Sequence, residues 1–452
     1  MRDKRYAPIL LILLLFLLRG GDAFGAAIRD LRELRQDPLV YVDRAAADLL
    51  LLPAAEQERL NAEYDVLYFA PWHQTAPRHT LEQVSWGFRE YGNSAGYDKD
   101  GKRHPPDWVR KMAANAHLDD YPQGGFPAVS VKRIDFRILP TQDSHSNYPK
   151  RRSRDNPFDN LQESSAPAGT PLLVTHVSRD RKWVLAETSY ALGWMPVTDV
   201  AAVDAEFTQR WENGRYVAII RDKTPVRDEK GVHRFSAPLG SIFPKIGEDA
   251  GNTWILTAVR DRRGKAFLRK ARVQKSAAAD KPLSFTPLHT AQLAAELAGE
   301  PYGWGGLYGR RDCSSMIRDL FTPFGLWLPR NSKEQSESGR FINIRNLPLS
   351  ERAARIIRQG VPWRTLLWTP GHIMLYIGVH QGQPLIFHNF WSVVTRDAGG
   401  NKGKRIVGRA AVTTLQPGRE LSGGEFPRTD VEGMTFLGEQ PEIGMIQSGT
   451  AP

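Results

Sequence analysis

Tyr302-Gly303-Trp304-Gly305-Gly306, and shortly after it Arg311-Asp312-Cys313-Ser314-Ser315, surround the only cysteine in a chain of 452 residues. An exported protein normally pairs its cysteines, so a lone thiol with histidines downstream is a candidate nucleophile. Asp312 is suited to cap a helix that begins at Cys313. Met316, Ile317, Leu320 and Phe321 recur at helical spacing and give that helix an apolar face. Cys313 then lies in the first turn, where the helix dipole favours a thiolate and the free backbone N–H can donate to an oxyanion.

Two histidines downstream supply a base. Gly371-His372-Ile373-Met374-Leu375-Tyr376-Ile377-Gly378 alternates as a strand, and Leu385-Ile386-Phe387-His388-Asn389-Phe390 reads as its partner across a turn-rich segment. Pairing Ile377 with Gln383 would set His372 directly opposite His388, whereas a slip of one residue would place them on opposite faces. His372 is the expected base and His388 the residue that holds its ring in one tautomer. His380, in the turn, is expected to be solvated. The wide spacing of Cys313, His372 and His388 is unlike compact zinc signatures, so neither a metal nor another cofactor is expected.

The chain begins with Arg2, Lys4 and Arg5, an apolar run from Ala7 to Leu18, and Ala23-Phe24-Gly25 ahead of Ala26. This is the pattern of an export signal over residues 1–25, and the run is too short for a membrane span. Removing it discards four basic and two acidic residues and takes the formal charge from +11 to +9. That excess suits an anionic envelope polymer, while export argues against nucleic acid as the partner.

The rest divides by composition. Residues 26–120 read as mainly helical, with Ala45 to Leu52 ending at Pro53 and helix formers from Glu56 to Tyr64. Residues 121–203 carry short β runs at the spacing of a small barrel. The order Gly169-Thr170-Pro171, Trp183, Gly193-Trp194 resembles bacterial SH3-like (SH3b) domains. A second such barrel, five-stranded, is expected within 204–280, with linker composition from Lys275 to Pro282. The basic loop Lys150-Arg151-Arg152-Ser153-Arg154 reads as a solvated insertion. Residues 285–452 read as an α+β catalytic domain, with a block of strands from about His372 and a tail after Gly418 that carries no motif.

Together with Leu328-Pro329-Arg330-Asn331-Ser332 and Gln335, the quoted motifs look like the NlpC/P60 family, papain-like peptidases that cut peptidoglycan stem peptides. The upstream arrangement resembles the subgroup with an N-terminal stabilising domain and tandem SH3b domains, which includes γ-D-glutamyl-L-diamino acid endopeptidases. The resemblance implies Cys313 as nucleophile, His372 as base, His388 as third residue, and Tyr302 near the nucleophile as an aid to the oxyanion. It implies that Asp312 and Ser314 help hold the free amine of a stem peptide, with Glu163 and Tyr190 as candidates from the first barrel. Ser315 stands where the family commonly has Gly, and Thr369-Pro370-Gly371 replaces its usual Gly-Asp-Leu.

The expected protein is thus a monomeric cysteine endopeptidase of the periplasm or cell envelope. It would have no stable membrane span after signal cleavage, and would act on stem peptides or muropeptides at the γ-D-glutamyl–diaminopimelate bond. An N-acetylmuramoyl-L-alanine amidase or acyltransferase on the same fold, or an inactive wall-binding protein, is the alternative.

Overall fold

In a computed structural model, residues 28–93, 96–149, 158–396, 400–421 and 430–439 are described; the segment 1–25 expected to be an export signal and the basic loop at 150–154 lie outside them. Among the described residues no helix is long and apolar enough to cross a membrane.

After a short α1 (Arg29–Glu33), the helical region starts later than expected. Ala45 to Leu52 forms turns, with Leu49 and Leu50 exposed and Leu52 buried against the catalytic core. An Ala-Leu run offers no single apolar face, and a continuous helix would not deliver Leu52 to that core. The helix α2 (Ala54–His73) begins after Pro53 and runs through Pro71 in its last turn. Its Tyr64, Tyr68, Phe69 and Trp72 are buried at helical spacing, and the Trp72 indole donates to the Ala128 carbonyl at 2.6 Å. At its other end, the Gln57 amide donates to the carbonyls of Leu283 and Phe324 at 2.7 and 3.0 Å. The helix is therefore a strut between a barrel and the catalytic domain. Two further helices follow, α3 (Leu81–Gly92) and α4 (Trp108–Ala116).

Two antiparallel seven-stranded sheets come next. The first runs from β1 (Phe126–Ser130) to β7 (Val200–Ala202) and includes β3 (Gln162–Ala166). After α5 (Ala205–Trp211), the second runs from β8 (Tyr216–Ile219) to β14 (Ala278–Asp280). It has more strands than the five expected. Its last strand falls in the stretch read as linker: Ala278 to Asp280 pair with β8, so their strand conformation comes from that partner rather than from their own sequence.

The catalytic domain opens with α6 (Pro287–Leu297) and α7 (Cys313–Phe321), followed by α8 (Ser332–Ser336) and α9 (Leu349–Gln359). Its sheet contains β15 (Gly339–Asn343), β16 (Thr365–Thr369), β17 (His372–His380), β18 (Gln383–Arg396), β19 (Lys402–Thr414) and β20 (Gly433–Leu437). The spatial order is β15-β20-β16-β17-β18-β19. The strand block thus starts well before His372. The tail read as lacking a motif supplies β20, which pairs on both sides and is fully buried. On one face, Ile373, Leu375, Ile377, Leu385 and Phe387 pack with Met316, Ile317, Leu320 and Phe321 of α7.

Arg311, just before this helix, ties the second barrel to it. The buried guanidinium meets Glu300 at 2.9 and 3.0 Å, Asp319 at 2.8 Å and Asp222 of the barrel at 3.0 Å; it also donates to the Leu239 carbonyl. Removing one member of a buried ionic cluster leaves the others uncompensated. Arg311→Ala is expected to destabilise the protein by about 3 kcal/mol or more, read as a lowered urea midpoint.

Candidate active site

The glycine turn is shaped by the first barrel. Gly305 and Gly306 have φ of +58° and +82°, and a Cβ at either would meet Gln162 or Ser165 of β3 within 2.7 Å. The Gln162 amide donates to the Gly305 carbonyl at 3.0 Å, and the Arg133 guanidinium donates to the Gly306 carbonyl. Only glycine lets β3 come this close.

The helix starts where the sequence places it. Asp312 accepts from the Ser315 N–H at 2.9 Å, while the Ser315 hydroxyl accepts from the Asp312 N–H at 2.9 Å, a reciprocal cap. Ser315, at the position the family commonly gives to Gly, thus closes the box. Asp312 also binds Arg330, a residue quoted in the motif without a role. The guanidinium reaches its two oxygens at 2.5 and 3.2 Å, the Ser314 hydroxyl at 2.9 Å and the Ser164 hydroxyl of β3 at 2.8 Å. Gly305 N–H and the Ser314 hydroxyl donate to Asp312 as well. Burial raises the Asp312 carboxyl, but Arg330 and the cap outweigh it and hold it below its usual range. Five donors on one carboxylate leave no lone pair open for an incoming ammonium.

Cys313 is buried in the first turn, and the Ile373 backbone N–H, next to His372, lies within hydrogen-bond reach of its sulfur. The lowered thiol pKa expected from the helix dipole is not found. Burial, then the Asp312 charge, push the thiol up to about 12, against the Ile373 N–H and Arg330. The same burial takes His372 down to about 4 and His388 well below its usual value. Tyr302, half-buried, is raised by burial and by Cys313, so its hydroxyl keeps the proton and can donate.

The histidines meet through a register unlike the expected one. His380, not Ile377, pairs with Gln383, and the turn is Gln381-Gly382 alone. A bulge at Ile377 then shifts the ladder, so that Leu375 pairs with Phe387. His372 and His388 become diagonal neighbours on one face, joined at 2.8 Å from Nε2 to Nδ1. His388 Nε2 lies 3.0 Å from the Thr413 hydroxyl, which itself donates to the Thr414 carbonyl at 2.8 Å. That hydroxyl must accept from His388 Nε2–H, so His388 Nδ1 accepts from His372 Nε2–H. His372 Nδ1 is left with its lone pair. Thr413 escaped the sequence reading; its one signal is a hydroxyl within the apolar run Ala410-Ala411-Val412. Phe390 stacks on His388 at 4.1 Å. His380 is exposed at the hairpin end.

The candidates from the first barrel separate. Glu163, on β3, lies within electrostatic range of the Arg330–Asp312 pair; desolvation and the Asp312 charge raise its carboxyl while Arg330 pulls it down. Tyr190 lies under the Arg318 guanidinium at 4.0 Å and donates to the Ser165 carbonyl.

A cysteine at the start of a capped helix, packed on a sheet whose strand opens with histidine, is the frame of a papain-like hydrolase. The comparisons agree. Family models match in chain order: the NLPC_P60 stabilising domain, N term, at 9–121; an SH3 domain of SH3b1 type at 147–196; an SH3 domain of SH3b2 type at 204–250; and the NlpC/P60 family at 299–397. The chain belongs to the NlpC/P60 family of peptidoglycan endopeptidases. Its fold is similar to that of an NlpC/P60 endopeptidase from Photobacterium damselae subsp. piscicida, with a TM-score of 0.80 at 24% identity over 90% of this chain and 98% of that one. An NlpC/P60 family protein from Bacillus cereus aligns with a TM-score of 0.47 and 16% identity over 68% and 98% of the two chains. No curated protein matches the chain.

Two outcomes are expected of this site. Iodoacetamide should alkylate Cys313 at pH 7.5 at least about tenfold more slowly than free cysteine, with a rate still climbing above pH 9; a plateau near neutrality would reveal a preformed thiolate. Thr413→Val should lower kcat about tenfold to a hundredfold with little change in KM, because the His388 tautomer loses its acceptor. Thr413→Ser should restore it.

Proposed function

We propose that the protein is a cysteine endopeptidase that cleaves the γ-D-glutamyl–meso-diaminopimelate bond of cell-wall stem peptides. The observation that carries this reading is the ordered chain from Thr413 through His388 to His372, ending on a free Nδ1 beside the strand amide that meets Cys313.

His372 Nδ1 takes the thiol proton as sulfur bonds to the γ-carbonyl carbon, so the two charges form together rather than singly in a buried site. The Cys313 N–H and the Tyr302 hydroxyl donate to the oxyanion. Collapse breaks the C–N bond, the leaving amine takes the proton from His372, and a thioester remains. Water, deprotonated by His372, then attacks the thioester and the thiol reforms.

Asp312 and Ser314 act here as positioning residues, because Arg330 occupies the carboxylate that a free amine would need. This favours stems still attached to glycan as substrates. Residues 1–25 serve as the export signal, domain boundaries fall near 120, 203 and 285, and a monomer works in the periplasm or envelope.

Purified sacculi treated with wild-type protein should release diaminopimelate-bearing peptides and keep L-Ala-D-Glu on the glycan, by mass spectrometry, while Cys313→Ala releases none. Glycan stripped of L-Ala would identify an amidase instead, and undiminished release by Cys313→Ala would sink the thiol mechanism.

A further inference from the structure

We propose that the outer half of the β18–β19 hairpin is a wall-binding arm, which holds the carboxylate-bearing peptides of insoluble peptidoglycan alongside the cleft. This rests on wall peptides being the substrate. Past His388 the ladder continues outward, with Phe390 opposite Arg409, Ser392 opposite Ile406, Val394 opposite Lys404 and Arg396 opposite Lys402. Residues 396–409 contain five cations, Arg396, Lys402, Lys404, Arg405 and Arg409, against the single acid Asp397.

Lys402, Lys404 and Arg409 are exposed. Among the described residues, neither these three nor Arg405 has an ion-pair partner. Arg396 and Lys402 stand directly across the hairpin as like charges, an arrangement that weakens strand pairing. A row of anions laid along the strand would offset the charges of Lys402, Lys404 and Arg409. From Lys402 to Arg409 the row spans roughly 20 Å, too long for one small anion and matched to a polymer with repeated carboxylates.

The arm is rooted in the cleft. Tyr302 N–H donates to the Gly408 carbonyl at 2.8 Å, and Pro301 bridges Arg409. Trp391, opposite the bulge at 407–408, lies 6.2 Å from Tyr302 and 5.2 Å from Phe158 between ring centroids. A polymer engaged at Cys313 therefore meets the cations without leaving the surface. The saturated Asp312 agrees with this, since it leaves the amino end of a stem free to remain joined to glycan.

The test uses full-length C313A, which binds without digesting. Its bound fraction on pelleted sacculi is read against salt concentration. C313A is expected to bind and to release as salt rises, and C313A/K402E/K404E to bind at least about tenfold more weakly. Glutamate at 402 would face Arg396 as an opposite charge, so the hairpin keeps its pairing. Sacculi with amidated carboxyls should bind C313A as weakly as intact sacculi bind the triple variant. Undiminished binding by that variant, undiminished binding to amidated sacculi, or displacement by single-stranded DNA but not by acidic stem peptides would overturn the arm. Turnover of a soluble stem tripeptide by the Cys313 enzyme separates the failures. Cleavage without any arm effect removes only the arm, and no cleavage of any stem peptide removes the reading beneath it.

Discussion

Arg311 and Asp312 carry opposite charges into the interior in opposite directions, and the assembly of the molecule turns on that pair. Arg311 reaches the second barrel through Asp222, and Asp312 reaches the first through Arg330 and Ser164. A buried ion is tolerated only with its partners in place, so each network fixes geometry as well as energy. They are anchored on the two residues just before the thiol. The barrels are therefore walls of the cleft, and β3 in particular decides what backbone the 305–306 turn can have.

The same burial sets the resting chemistry. It disfavours thiolate and imidazolium alike, so the proton stays on sulfur until a substrate gives the charges a use. What the fold prepares in advance is direction: hydroxyl, two rings and a backbone amide are aligned so that one nitrogen lone pair is left over. A neutral, ordered site of this kind protects a lone thiol from stray oxidants, which act on the thiolate.

The cysteine helix was legible because its signals are local: a cap, an apolar period and a glycine turn all lie within a few residues of Cys313. The strand pair was legible for the same reason, down to both histidines sharing a face. The register was not, because a bulge at Ile377 and a two-residue turn offset each other in parity while moving the partners. Strands β14 and β20 were missed because they owe their conformation to neighbours distant in sequence. Arg330 stood in plain view, but its two roles depend on Ser164 in another domain. The helix expected at 45–52 failed because tertiary burial of Leu52 outweighed local propensity.

Strand β20 sits between β15 and β16, the inside of the sheet rather than its edge. Residues 433–437 must therefore arrive before the strand that starts at His372 has a finished sheet behind it. During synthesis, the segment with Cys313 emerges first and waits beside unpaired strand edges for the tail. A hydrolase built this way has a complete sheet behind its site only after residues 433–437 have been made.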